Sequence, residues 1–216
     1  LAAKTGAQIV FGQKAETGFE TLKVKDGDTL NVGHIRLHVY ETPGHTPEGI
    51  TILAVSEGEP DRLFTGDTLF IGDVGRPDLI GSKGFTAEQM AAMLYDSLHE
   101  KILPLDDNTV VFPAHGAGSL CGRSLSKETF STLGEQRKFN YALQPMAKDE
   151  FVRIVTADQP PAPAYFAESA AMNLAGASSL SEIASPLELT AEEARDFDGV
   201  VLDVRTNTEY GSGHIP

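Results

Sequence analysis

Three side chains of metal-ligand type stand just past short apolar, β-branched runs. They are His45 in Thr42-Pro43-Gly44-His45, Asp67 in Thr65-Gly66-Asp67, and His115 at the end of Val110-Val111-Phe112-Pro113-Ala114-His115. Imidazole nitrogen and carboxylate oxygen are hard-to-borderline donors suited to a divalent metal. Rigid strands that present such groups on their exit loops are a common way to build a site. Taken singly, His45 could be an ordinary turn histidine and Asp67 an Asx-turn residue. Their spacing argues for more.

The elements that must position them can be read from periodicity. Ile35 to Tyr40 alternates apolar and polar residues, the pattern of a half-buried strand, with His34 and His38 on its polar side as surface histidines. Pro43 fixes φ and Gly44 permits a backbone that other residues resist, so the pair aims His45. Ile50 to Val55 is the next strand, Glu57 to Pro60 a hairpin loop, and Arg62 to Thr65 the returning strand. Antiparallel pairing brings the start of one leg beside the end of the other, which places His45 and Asp67 together at one end of the sheet. A Gly- and Asp-rich loop follows from Thr68 to Leu79, long enough to expect a function.

Thr86 and Gln89 form a capping box for a helix from Thr86 to Leu103, with Met90, Met93, Leu94, Leu98 and Ile102 as its apolar stripe and His99 off it, in solvent. Thr109 to Phe112 is a buried strand leading to His115. Helices are expected over Lys127 to Leu143, Asp149 to Thr156 and Tyr165 to Leu174, and a short strand over Gln8 to Phe11. A domain boundary is expected near Gly176 to Ser179. Beyond it Thr190 and Glu193 cap a helix, and Gly199 to Val204 reads as an apolar strand. The sequence itself looks cut at both ends: it begins at Leu1 in what reads as a helix stub stopped by Gly6.

The 216 residues carry a formal net charge of −14. That acidity argues against nucleic acid or an anionic membrane as partner, because phosphates are repelled. One cysteine, Cys121, excludes an intrachain disulfide, and together with the lack of a signal peptide or membrane-length apolar run points to a cytoplasmic setting. Self-association is left open.

The runs TPGHT, FTGDTLF and PAHG resemble the second half of a metallo-β-lactamase fold, a four-layer αββα sandwich of the α/β class with its metals at one edge. FTGDTLFIGDVGRPD and HGAGSLCG resemble the persulfide dioxygenase branch that carries a fused rhodanese domain. VVLDVRTNTEYGSGHIP is similar to the opening of a rhodanese domain. The resemblance implies residues 1–176 as the C-terminal portion of the first domain and 177–216 as the start of the second. It implies a mononuclear Fe(2+) held by two His and one Asp, with His45 and Asp67 among the ligands and His115 hydrogen-bonding beside them. It also implies a glutathione-type persulfide and O2 as partners, with sulfite as product. The superfamily's H-x-H-x-D-H motif, source of the first His, is absent and would lie upstream of Leu1, so this stretch by itself is expected to bind metal weakly and to be inactive.

The ligand set leaves open coordination positions, as binding both a sulfur ligand and O2 requires. It could equally hold Zn(2+) and activate water for hydrolysis of thioesters or lactones. Arg76 is expected either to pair with Asp73 or Asp78 or, with Arg123, to face an anionic substrate. Cys121 is either a small buried residue or a thiol at the site entrance that carries sulfur.

Overall fold

Strand pairing sets the frame of this computed structural model, which describes residues 2–79, 84–123, 125–159, 161–176 and 183–214. Six strands form one sheet in the order β3 (Thr29–Val32), β4 (Ile35–Glu41), β5 (Ile50–Val55), β6 (Arg62–Gly66), β7 (Val110–Pro113) and β8 (Ser131–Thr132). All neighbours are antiparallel except β6 and β7, which run parallel. A parallel pair needs a crossover, and here it contains α2 (Ala87–Asp96). A second, smaller sheet pairs β1 (Val10–Gly12) with β2 (Leu22–Val24), after the short helix α1 (Ala2–Thr5). The first strand thus lies slightly later than the expected Gln8 to Phe11.

The alternation along the strands decides which face is buried. Leu63 is fully buried while its neighbour Phe64 is 45% exposed. Leu53, Leu63 and Val111 form one core with Leu94, Leu98 and Ile102 of the crossover and with Phe151 and Val155 of α4 (Lys148–Thr156). Each such side chain contributes roughly 1.5–3 kcal/mol on burial. On the opposite face Phe64 stacks on Phe112 at 5.6 Å.

The capping box forms as expected: Thr86 Oγ1 accepts from Gln89 N–H, and Gln89 Oε1 accepts from Thr86 N–H. After α2 the helix widens into a π-helical turn, Ser97–Ile102, where Leu103 N–H donates to the Leu98 carbonyl five residues back. His99 lies on this turn and is not in solvent as expected. Its ring stacks on Tyr95 at 4.0 Å and meets Phe151 edge-on, and burial lowers its pKa.

The helix expected from Lys127 begins only at α3 (Leu133–Phe139), because Ser131 and Thr132 pair with β7 and the Thr132 hydroxyl caps the helix start. A 3-10 turn, Tyr141–Leu143, follows. Helix α5 (Phe166–Ala175) matches its expected position closely.

The chain divides into two compact units, Leu1–Gly176 and Ala177–Pro216. Of the expected boundary, residues 177–179 lie outside the described residues. In the second unit α6 (Ala191–Arg195) and α7 (Asn207–Ser212) each start with a capping box. The strand expected over Gly199 to Val204 does not form. Val200, Leu202 and Val204 are exposed, and no described segment pairs with them, so their β-propensity has no ladder to join. Among the described residues no helix is long and apolar enough to cross a membrane.

Candidate metal centre

His45 is aimed by the turn between β4 and β5. Gly44 has φ +151°, and any Cβ there would overlap the Leu94 backbone of α2. Ser97 of the π-helical turn donates its hydroxyl to the Pro43 carbonyl at 2.7 Å. The helix therefore holds the turn from behind.

Asp67 follows Gly66, whose φ of +54° lies in the left-handed region that glycine tolerates. Parallel pairing sets Gly66 opposite Pro113, and Ala114 N–H donates to the Gly66 carbonyl at 3.0 Å. His115 thus arrives beside Asp67. Beneath them the buried Thr42 hydroxyl lies 3.0 Å from that of Thr51 and 2.9 Å from that of Thr68. This hydroxyl chain ties both ligand-bearing turns to β5. The sequence reading passed over these threonines, although TPGHT and TGDT both contain one.

The polar groups converge. His45 Nε2 is 3.4 Å from Asp67 Oδ2, and His115 Nδ1 is 2.7 Å from Asp67 Oδ1. His45 Nδ1 lies 2.8 Å from the Arg76 carbonyl oxygen. A carbonyl can only accept, so Nδ1 carries a proton, and Nε2 is the ring nitrogen turned toward the Asp67 carboxylate. Facing each other at 3.4 Å, the two atoms can share a cation. One divalent ion at the usual ~2.0–2.2 Å from nitrogen and oxygen fits the gap, and a backbone acceptor on the other ring nitrogen is the usual support of a metal-bound His. The residues present therefore fit a metal.

Cys121 completes the group. Among the described residues, the donor atoms of His45, Asp67 and Cys121 all lie within 4.8 Å of one another. Burial raises the Cys121 pKa, and the Asp67 charge adds to it, which keeps the thiol protonated near neutral pH. The loop bearing Cys121 is fastened to the loop after Asp67: Arg76 N–H donates to the Cys121 carbonyl at 2.9 Å, and Arg123 N–H donates to Asp73 Oδ2 at 2.7 Å. Asp73 Oδ1 also accepts from the Tyr141 hydroxyl at 3.0 Å. Gly75 passes so close that a Cβ would press on the Asp67 carbonyl and come within 2.9 Å of His45 Cβ. Gly75 escaped the sequence reading because nothing local distinguishes it from other loop glycines.

Of the two alternatives for Arg76, the structure shows the pairing with Asp78. Arg76 is 1% exposed and grips Asp78 through Nε at 3.0 Å and Nη2 at 2.6 Å. Its backbone also serves the site, with the carbonyl facing His45 Nδ1 and the N–H held on the Cys121 carbonyl. Arg123 turns its guanidinium to the Tyr141 ring at 5.6 Å and to the Ala157 carbonyl at 3.2 Å. His115 is 41% exposed at the rim.

Known proteins share this arrangement of elements. Residues 17–115 match the sequence model of the metallo-beta-lactamase superfamily. A solved structure from Staphylococcus aureus subsp. aureus COL, described as a metallo-beta-lactamase, is 34% identical, with a TM-score of 0.82 over 99% of this chain and 64% of its own. A structure of ETHE1 from Myxococcus xanthus is 28% identical, with a TM-score of 0.66 over 81% of this chain and 68% of its own. Human mitochondrial persulfide dioxygenase ETHE1 is 33% identical over 62% of this chain and 45% of its own length. The chain spans about half the length of the curated relatives it matches. The fold is the α/β metallo-β-lactamase fold.

Proposed function

From a metallo-β-lactamase fold whose residues 17–115 match that superfamily, we propose that this chain forms part of a persulfide dioxygenase. Its reaction is the oxidation of glutathione persulfide or a related persulfide to sulfite with O2. One observation carries the reading. His45 Nε2 and Asp67 Oδ2 face each other at 3.4 Å with the Cys121 thiol beside them, in a chain about one-third identical to persulfide dioxygenases.

His45 and Asp67 would hold Fe(2+), which when bound supplies open positions for a sulfur donor and O2. The chain's own residues do the rest. The Arg76 carbonyl fixes the proton on His45 Nδ1 and so keeps Nε2 free to donate. His115 donates to Asp67 Oδ1, which leaves Oδ2 directed at His45. Cys121, protonated and half-buried, offers a thiol at the site entrance that can carry sulfur. One persulfide, one O2 and one water give one thiol, one sulfite and two protons, with four electrons passing from the outer sulfur to oxygen. Residues 177–216, which resemble the start of a rhodanese domain, extend the reading to sulfur transfer in a cytoplasmic setting.

Oxygen uptake and sulfite formation by the iron-loaded full-length protein with glutathione persulfide test this. Equal amounts of O2 consumed and sulfite formed are expected. Iron-bound protein that consumes no O2 would remove the reading.

Asp67 touches both His45 and His115, and this favours one second reading: a zinc hydrolase of thioesters or lactones in the manner of glyoxalase II, in which His45, Asp67 and His115 would help to hold two zinc ions that activate water. Metal analysis separates the two. One iron per chain excludes the hydrolase, and two zinc ions exclude the dioxygenase.

A further inference from the structure

Asp73 lies on the loop after Asp67 and is 2% exposed. A carboxylate this deeply buried needs donors on its oxygens, and it draws them from separate stretches of chain. Oδ2 accepts from Arg123 N–H at 2.7 Å, two residues past Cys121. Oδ1 accepts from the Tyr141 hydroxyl at 3.0 Å and from Val74 N–H at 2.9 Å. The Asp73 carbonyl accepts from Phe70 N–H at 2.9 Å and from Asn140 Nδ2 at 3.0 Å. The loop after Asp67, the loop bearing Cys121 and the turn after α3 therefore meet on one residue.

Cys121 sits between two fastenings. Its own carbonyl accepts from Arg76 N–H, and two residues on Arg123 N–H is held by Asp73. Gly122 between them is buried, and a Cβ there would come within 3.1 Å of Asp73 Oδ2. The Arg123 side chain closes the ring, because its Nη2 donates to the Tyr141 hydroxyl at 3.3 Å. The thiol so placed lies with the donor atoms of His45 and Asp67 inside 4.8 Å. A misplacement of ~1 Å at a reacting centre can cost about a hundredfold in rate, so the fastening of this loop bears on the chemistry.

We propose that Asp73 is the positioning residue of the Cys121 thiol, holding the loop so that the sulfur faces His45 and Asp67. This rests on the persulfide reading above and deepens it, since it states what keeps the entrance thiol in place. Asp73 acts through Cys121 and touches no reacting atom.

Two readouts test it, both on the iron-loaded full-length protein. The first is the rate at which iodoacetamide alkylates Cys121 at neutral pH, followed by mass spectrometry of the peptide that carries it. Asp73→Ala frees the loop and is expected to raise that rate about tenfold. Asp73→Asn keeps the volume but weakens the acceptor, and should raise it about threefold. Val155→Ala, which thins the core in α4 away from the site, should lower stability and leave the rate unchanged. Unchanged alkylation in both Asp73 variants, or an equal rise in Val155→Ala, would overturn the proposal. Should Asp73→Ala fail to fold, Asp73→Asn decides alone. The second readout is sulfite formation from glutathione persulfide. Asp73→Ala is expected to lower kcat/KM about tenfold when Cys121 is present and to change it little in a Cys121→Ser background, because both act through one thiol. An equal loss in the two backgrounds would overturn the proposal. If alkylation rises as expected but no protein forms sulfite, the dioxygenase reading fails while the positioning of the thiol stands.

Discussion

At the scale of single residues the site depends on backbone groups as much as on side chains. Arg76 shows this most clearly: its carbonyl orients His45 and its N–H holds the Cys121 loop, while its guanidinium is spent on Asp78. A sequence can announce an arginine near a site, but whether it faces solvent or a neighbouring carboxylate depends on how the loop folds. Gly75 is similar, because only the fold brings it against His45 and Asp67. Gly75→Ala should lower stability by about 1–3 kcal/mol through overpacking and weaken iron binding. Gly116→Ala, with nothing near its added Cβ, should change neither. Thermal melts and iron titrations of the two variants check this.

Tyr141 gives a pH prediction. Burial first, and then the Asp73 charge, push its pKa up from 10.0 to about 12. The folded state thus holds the phenol neutral where the unfolded chain ionises it. This contribution is intact below pH 10 and is lost progressively as pH rises toward about 12, at a rate of up to ~1.4 kcal/mol for each pH unit crossed. Denaturant titrations of Tyr141→Phe between pH 9 and about 12 should show a shallower fall than wild type.

At the scale of elements, α2 and its π-helical extension act as a backstop for the His45 turn. Leu94 fills the space under Gly44, and Ser97 holds the Pro43 carbonyl. Ser97→Ala removes that bond and should cost about 1 kcal/mol. Because it also frees the turn, it should loosen iron binding while leaving the helix content unchanged; circular dichroism and an iron titration measure the two effects. The hairpin β5–β6 and the strand β7 were legible in the sequence, because apolar alternation and flanking glycines mark them and each lies within a residue of its expected position. The widening of the helix at Ser97 was not, since the stripe Met90, Leu94, Leu98, Ile102 keeps an ordinary helical spacing through it. The late start of α3 was also hidden, because β8 exists only through pairing with β7. Val200 to Val204 shows the opposite failure: a strong β signature without a described partner stays unpaired.

At the scale of the whole molecule the fold class was legible through the resemblance of TPGHT, FTGDTLF and PAHG to a metallo-β-lactamase fold, and the order of elements agrees with it. Two hairpin legs, a helical crossover and a parallel return place three loop ends at one edge of one sheet. That edge carries His45, Asp67 and His115, and the proposed function rests on His45 and Asp67 sharing one cation while His115 hydrogen-bonds to Asp67. The most direct measurement is X-ray absorption at the iron edge for iron-loaded wild type, His45→Ala and Asp67→Ala. The wild type should show a nitrogen and oxygen shell at about 2.0–2.2 Å with the multiple scattering of imidazole, and each variant should lose its share of that shell together with affinity. Spectra and affinities identical across all three proteins would place the metal elsewhere and contradict the account.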